Sequence, residues 1–157
     1  MNQLSLQSLF MVNEVEIIYR NPAPYQDRIQ IRQSSTAYEV LRTMWDLNRM
    51  ELVEQFKILL LDQNNHCLAV SDIATGGISS CLADPKVIFA TALKARATSL
   101  ILAHNHPSGN LTPSEPDKVL TRKLKDGGKL LDIAVLDHLI VTPHNYLSFA
   151  DDGLMPG

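Results

Sequence analysis

Cysteine is scarce in this sequence: Cys67 and Cys81 are the only two among 157 residues. Two cysteines provide no disulfide framework, and we expect both to be small buried residues in a reducing cytoplasm. Long apolar runs are also absent, because no stretch approaches the roughly 18 residues that a membrane helix requires. The N-terminal residues Met1–Leu4 lack the basic start of a signal peptide. The sequence therefore predicts a cytoplasmic protein with no membrane partner.

An excess of positive charge is missing too. Lys and Arg together number 14 and Asp and Glu 17, which gives a net charge of −3. Strong non-specific DNA binding depends on neutralising phosphates with Lys and Arg, so this balance argues against it. The helix predicted after Ser114 is nevertheless basic, and it either contacts nucleic acid or forms a solvated face, which is the usual meaning of such a run. Its basic residues are Lys118, Arg122, Lys123, Lys125 and Lys129.

The overall composition is that of an ordinary folded protein. Apolar residues make up 45% and charged residues 20% of the chain, as in typical globular domains. A chain of 157 residues has the length of one domain and can bury a substantial core. We therefore expect a single domain over residues 1–157, with loose ends at about residues 1–10 and 151–157.

The order of apolar patterns along the chain is typical of an α/β fold. Helices are predicted at about residues 34–45 and 85–97, and after Ser114 up to Gly127-Gly128. We predict one mixed β-sheet flanked by about three helices. Its strands are expected at about residues 12–20, 56–61, 67–73, 100–103, 133–141 and 146–149.

Three metal-binding side chains follow the apolar run Leu100–Ala103. His104 and His106 stand two residues apart at the end of this predicted strand, so their imidazoles point to the same face. Asp117 comes after a loop rich in Pro, Gly and Ser, in the first turn of the next helix. Two imidazole nitrogens and one carboxylate oxygen are good zinc ligands, and three protein ligands plus a water are typical of catalytic zinc sites. The pattern predicts a catalytic Zn²⁺ site, with manganese and iron to be excluded by geometry.

The motif resembles that of the JAMM/MPN metallopeptidases, in which an upstream Glu is joined by His-x-His, ten residues and Asp. Pro107 to Pro116 are those ten residues here. The similarity is greater to the RadC-like branch, and it extends from about Glu54 to Val141. The segments that carry it are His104-Asn105-His106-Pro107-Ser108-Gly109, Pro113-Ser114 and Leu136-Asp137-His138-Leu139-Ile140-Val141.

This resemblance implies a fold and an activity. The fold is the JAMM/MPN domain, which has a cytidine-deaminase-like architecture, in a short form without the helix-hairpin-helix region of full-length RadC proteins. The activity is that of a zinc-dependent metallohydrolase that cleaves a peptide or isopeptide amide in a protein substrate. His104, His106 and Asp117 are then the metal ligands, Glu54 the base that activates the water, and Ser114 a donor to the oxyanion.

Two of these roles have alternatives. Glu51 also precedes the predicted strand at residue 56, and spacing alone does not separate it from Glu54. Ser114-Glu115-Pro116-Asp117 has the form of a capping box, so Ser114 is also suited to starting a helix, and the two roles need not exclude each other. His138 is either a partner of the metal site or an ordinary buried histidine.

Two other functional classes compete with the peptidase prediction. The first is a metallohydrolase associated with DNA repair that acts on nucleic acid, but the chain has no Cys-x-x-Cys of the kind found in zinc deaminases. The second is a non-catalytic binding module, against which the intact set of ligands, Glu and Ser counts. A homodimer is left open by the sequence.

Overall fold

The structure is a computed structural model that describes residues 24–77 and 83–157. The described residues form strands β1 (Gln55–Leu61), β2 (Cys67–Thr75), β3 (Ser99–Asn105), β4 (Ala134–Val141) and β5 (Tyr146–Ser148). They also form helices α1 (Ser34–Met44), α2 (Leu47–Met50), α3 (Pro85–Lys94) and α4 (Glu115–Leu130), with a 3-10 turn at Tyr25–Asp27. The strand predicted at residues 12–20, the loose start at residues 1–10 and Cys81 lie outside the described residues.

The five strands form one mixed sheet in the order β2-β1-β3-β4-β5. Strand β1 is antiparallel to β2 and to β3, β3 is parallel to β4, and β4 is antiparallel to β5. The parallel pair β3–β4 is connected through α4, as parallel neighbours require a crossover of this kind. The α/β fold with a mixed sheet, predicted from the order of apolar patterns, is confirmed.

Helices cover both faces of this sheet. Alternate residues of β1 enter separate cores: Leu59 and Leu61 pack in one cluster with α1, whereas Ile58 and Leu60 pack in the other with α3 and α4. Strands β1 and β3 are buried along their whole length, and each contains a continuous apolar run, Ile58–Leu61 in β1 and Leu100–Ala103 in β3. Burying each Leu or Ile side chain contributes about 1.5–3 kcal/mol of transfer free energy.

This alternation determines where the histidines face. In β3, Leu100 and Leu102 belong to the core under α3 and α4, and Ile101 and Ala103 belong to the opposite core. His104 continues the first series, so its side chain points towards α4, the helix that follows the loop.

The predicted end of α4 at Gly127-Gly128 is wrong, because the helix continues to Leu130. A Cβ on Gly128 would lie 2.3 Å from the carbonyl oxygen of Ile133, and one on Gly127 would lie 3.0 Å from the ring of Phe89. The two glycines therefore allow close packing of the helix and do not terminate it. The chain turns after the helix through Asp132, whose φ is 54°.

Residues 151–157, which the sequence suggested would be loose, make contacts with the rest of the fold. The amide of Leu154 donates to the carbonyl of Phe149 at 2.7 Å, and Met155 packs against the core under α3 and α4. Lys125 in α4 donates from its ammonium group to the carbonyl of Pro156. Within residues 24–77 and 83–157, no helix has the length and apolar character needed to cross a membrane.

Candidate metal centre

The two histidines of the motif meet at the end of β3. His104 is buried near the C-terminal end of β3, and His106 lies half-buried just beyond the strand. Their ring centroids are 4.8 Å apart, and their Nε2 atoms are 2.9 Å apart. The two imidazoles therefore present the same nitrogen to a common point, as the two-residue period of a strand predicts.

The loop after His106 returns the chain to this point. The amide of Gly109, which has a φ of 78°, donates to the carbonyl of His106 at 2.9 Å and closes a turn. The carbonyl of Asn110 lies 2.5 Å from His106 Nδ1. Because a carbonyl only accepts, His106 Nδ1 carries a hydrogen, and in the neutral ring Nε2 then carries the lone pair.

Asp117 completes the group from the first turn of α4. Its Oδ1 lies 3.3 Å from His104 Nε2, and its Oδ2 lies 3.5 Å from His106 Nε2. Burial would raise the pKa of Asp117, but its contacts with His104 and His106 hold that pKa well below its usual range. The carboxylate is therefore ionised, as a metal ligand must be.

Asp117 is also part of the predicted capping box. The amide of Ser114 donates to Asp117 Oδ2 at 2.7 Å, and the amide of Asp117 donates to Ser114 Oγ at 3.2 Å. The capping role and the position facing the histidines therefore coexist in one side chain. Ser114 Oγ acts only as an acceptor in the cap, and among the described residues its own hydrogen has no acceptor.

Glu54 reaches the same group from the position just before β1. The β1–β3 register pairs Phe56 with His104, so Glu54 lies opposite His106 at the next position on the same face. Its amide donates to the carbonyl of Gly77 at 3.0 Å, and its carbonyl accepts from the amide of Gly76 at 2.8 Å, which extends the β1–β2 ladder beyond the start of β1. A Glu54 carboxylate oxygen lies within 4.8 Å of the ligand nitrogens of His104 and His106.

Glu51 is placed differently. It caps the C-terminus of α2, is exposed, and is not part of this group of side chains. Burial raises the pKa of Glu54, and Asp117 adds to that rise, while His104 and His106 oppose it. A raised carboxyl pKa suits a group that accepts and returns a proton near neutral pH.

The donor set fits a small divalent cation. The two Nε2 atoms are 2.9 Å apart, and Asp117 presents Oδ1 to His104 at 3.3 Å and Oδ2 to His106 at 3.5 Å. Ligand atoms about 2.0–2.1 Å from a tetrahedral zinc ion are ~3.3 Å from one another, which is close to these separations. Contact with Asp117 raises the pKa of His106 against the effect of burial, because the carboxylate stabilises positive charge on the ring. His104, His106 and Asp117 could hold the ion, and Glu54 is a second carboxylate beside it.

A family model described as the RadC-like JAB domain matches residues 31–154 of this chain. The chain belongs to the RadC-like JAB domain family. Several curated relatives of this chain carry the printed name UPF0758 protein. The one from Flavobacterium johnsoniae is 44% identical over 101 residues, which cover 64% of this chain and 44% of the relative.

More distant relatives extend the match along the chain. The protein from Methanosarcina mazei is 36% identical over 124 residues, covering 79% of this chain and 54% of the relative. The protein from Paracidovorax citrulli is 33% identical over 138 residues, covering 88% of this chain and 52% of the relative. The RadC-like chain described here thus spans about half the length of the curated relatives that it matches.

His138, for which the sequence left two alternatives, contacts the site directly. Its Nε2 lies 2.8 Å from His104 Nδ1, and its Nδ1 lies 2.6 Å from Thr121 Oγ1. Burial and then the proximity of His104 lower the pKa of His138 well below its usual value. Sequence reasoning did not select Thr121, and nothing in its spacing from His138 could have done so, because the two residues meet only through the packing of α4 on β4.

Asn105 supports the Glu54 side of the site. It is fully buried, and because it points away from the histidines it reaches the segment between α2 and β1. Its amide nitrogen donates to the carbonyls of Met50 at 2.6 Å and Val53 at 2.9 Å, and its Oδ1 accepts from the amide of Gln55 at 2.8 Å. These three bonds fix the backbone on both sides of Glu54.

We expect Asn105→Asp to destabilise this RadC-like domain strongly. The substitution preserves shape and one acceptor, but it removes both donors and sets a carboxylate against two buried carbonyls. Each buried group left unsatisfied costs about 1–3 kcal/mol, more when a charge is involved. Urea denaturation measures the loss. Asn110→Asp is the matched control, since exposed Asn110 uses its Oδ1 as an acceptor for Thr112, and its midpoint should stay near wild type. Equal midpoints for both variants would show that the Asn105 bonds are unimportant.

Proposed function

We propose that this RadC-like domain is a zinc-dependent hydrolase that cleaves a peptide or isopeptide amide. The observation that supports the proposal is the convergence of His104, His106 and Asp117 with the carboxylate of Glu54, drawn from β3, α4 and the entry to β1. Zinc held by the first three residues would lower the pKa of a bound water to about 7 and polarise a carbonyl.

Glu54 has the position and the environment for the proton transfers of amide hydrolysis. Its carboxylate lies beside the histidines without a hydrogen bond to a protein donor among the described side chains, and burial raises its pKa. It accepts a proton from the attacking water and then protonates the departing amine, so that one group serves as base and acid in turn. Ser114 supports the reaction by donating its uncommitted hydroxyl hydrogen to the oxyanion.

The basic residues of α4 do not favour a nucleic-acid substrate. Lys118 pairs with Glu115 at 2.7 Å, Lys129 pairs with Asp126 at 3.9 Å, and Lys125 donates to the carbonyl of Pro156. The two ion pairs partly neutralise the charge that the helix offers to phosphates, and the Lys125 ammonium group is engaged with a carbonyl. Together with the net charge of −3, they favour a protein substrate over DNA.

Substrate screening tests the proposal. Zinc-loaded protein is assayed against peptide libraries, isopeptide-linked proteins and single-stranded DNA, with chelated protein as the control. We expect amide cleavage that chelation removes and zinc restores. Cleavage of DNA without cleavage of any amide would support the nucleic-acid alternative, and amide cleavage that survives full removal of metal would contradict the metal-dependent mechanism.

The two roles of Ser114 can be separated with Ser114→Asn and Ser114→Asp. Both replacements are good N-caps, so both should keep the stability of α4, whereas Ser114→Ala should lose about 0.5–2 kcal/mol. Asn can donate a hydrogen bond to an oxyanion, but ionised Asp cannot and repels it. Loss of one such donor costs about 10²–10³-fold in turnover. We therefore expect Ser114→Asp to be far less active than Ser114→Asn.

Zinc content must be equal in the two Ser114 variants, because a new carboxylate near Asp117 could bind the ion. Similar activity of Ser114→Asn and Ser114→Asp at equal zinc content would leave Ser114 with a capping role alone.

A further inference from the structure

A buried chain of hydrogen bonds connects α4 to the inner side of His104. The Thr121 hydroxyl bonds the carbonyl of Asp117 at 2.7 Å, Thr121 Oγ1 lies 2.6 Å from His138 Nδ1, and His138 Nε2 lies 2.8 Å from His104 Nδ1. Thr121 and His138 have no exposed surface, and His104 is 1% exposed. Water therefore cannot replace any of the hydrogen-bond partners in this series.

The hydrogens in this series of hydrogen bonds can be assigned by starting from the Asp117 carbonyl, which can only accept. The carbonyl of Asp117 only accepts, so the single hydrogen of the Thr121 hydroxyl is directed to it. Thr121 Oγ1 must then accept from His138, which places a hydrogen on His138 Nδ1. Rings of Phe56 and Phe149 flank His138, at centroid distances of 5.7 and 4.8 Å. A charged His138 ring would lie among these apolar groups without a carboxylate bonded to it, at a high desolvation cost.

A neutral His138 with its hydrogen on Nδ1 has a lone pair on Nε2. His104 must therefore donate from Nδ1, and its own lone pair is on Nε2, the atom that lies 3.3 Å from Asp117 Oδ1 and 2.9 Å from His106 Nε2. The carbonyl of Asn110 imposes the same arrangement on His106. Both imidazoles thus have their unprotonated nitrogens directed to one point.

We propose that Thr121 and His138 are positioning residues that hold His104 in the tautomer able to bind a metal ion through Nε2. The inference rests on the proposed metal centre. Because Thr121 bonds the backbone of Asp117 as well, the same hydroxyl couples the orientation of His104 to the position of the carboxylate. Partners of this kind around metal-bound histidines typically contribute 10–100-fold to metal affinity.

Thr121→Val and Thr121→Ser form the matched pair for the test. Valine keeps the shape of threonine but leaves His138 Nδ1 without an acceptor. The His138 hydrogen is then free to move to Nε2, where it opposes the hydrogen on His104 Nδ1 and favours the His104 tautomer that carries its hydrogen on the ligand atom. Serine retains the hydroxyl.

The readouts are zinc affinity by chelator competition and the histidine tautomers of the metal-free protein by ¹H–¹⁵N NMR. We expect Thr121→Val to bind zinc about 10–100-fold more weakly than wild type, with Thr121→Ser restoring the affinity. In the wild type, His104, His106 and His138 should each carry their hydrogen on Nδ1. A neutral His104 ring with its hydrogen on Nε2 and none on Nδ1 in the metal-free wild type would overturn the inference even if Thr121→Val failed to fold.

The inference and the proposed function fail in different ways. If wild type binds zinc and folded Thr121→Val binds it equally well, the positioning role is wrong while the metal centre stands. A lower melting temperature for Thr121→Val without a change in zinc affinity would likewise reduce Thr121 to a structural role. If wild type shows the assigned tautomers but binds no zinc, the proposed function is wrong.

Discussion

Glu54→Gln should remove about 10²–10⁴-fold of the hydrolytic rate while leaving the bound metal in place. The amide of glutamine has nearly the size of the carboxylate, so the contacts of the half-buried side chain are preserved. It cannot accept a proton from the attacking water, and the transfer to the leaving amine is lost with it. Turnover is measured on the substrate found by screening, with the zinc content of each preparation determined in parallel.

Glu51→Gln is the matched control for this prediction. Glu51 lies on the same short segment but is exposed at the end of α2, so its neutralisation should leave the rate close to wild type. An essential Glu51 and a dispensable Glu54 would show that the base has been misassigned. Loss of zinc from Glu54→Gln would instead identify Glu54 as a ligand, since its carboxylate lies within 4.8 Å of both histidine nitrogens.

Replacing both His104 and His106 with alanine should eliminate metal binding altogether. Wild type is expected to hold about one zinc ion per chain, and the double variant retains only Asp117 of the three ligands. Elemental analysis of protein passed through a desalting column gives the ratio directly. Circular dichroism is recorded alongside it, because His104 is buried and bonded to His138.

His144→Ala controls for the loss of a histidine as such, since His144 is exposed in the turn before β5 and lies outside the site. It should keep the zinc content of wild type. The milder His106→Ala variant, which alters a half-buried residue at the end of β3, should already weaken binding severely. Equal zinc in the folded double variant and in wild type would disprove the ligand assignment.

The sequence predicted those parts of the site that depend on local geometry. The two-residue period of a strand places His104 and His106 on one face, and the capping box places Asp117 in the first turn of a helix. Both features are encoded within a few residues of the side chains concerned. The structure brings all three side chains together as this local reasoning expected.

Features that depend on pairing between distant segments could not be predicted in the same way. Glu54 and Glu51 are separated only by tertiary structure: the β1–β3 register pairs Phe56 with His104 and so brings Glu54, two residues earlier, beside the histidines. The link from Thr121 to His138 arises from the packing of α4 on the sheet. The sequence suggested a helix end at Gly128, but glycine is needed there for another reason. The chain turns back after Leu130, and the carbonyl of Ile133 then leaves no space for a side chain on Gly128.

Anomalous diffraction from crystals of the zinc-loaded protein, recorded at the zinc absorption edge, tests the metal centre most directly. We predict one strong peak about 2.0–2.2 Å from His104 Nε2, His106 Nε2 and a carboxylate oxygen of Asp117, with Glu54 beside the ion but not bonded to it. The absence of a peak at these residues, or a peak bonded to Glu54 and not to Asp117, would contradict this account.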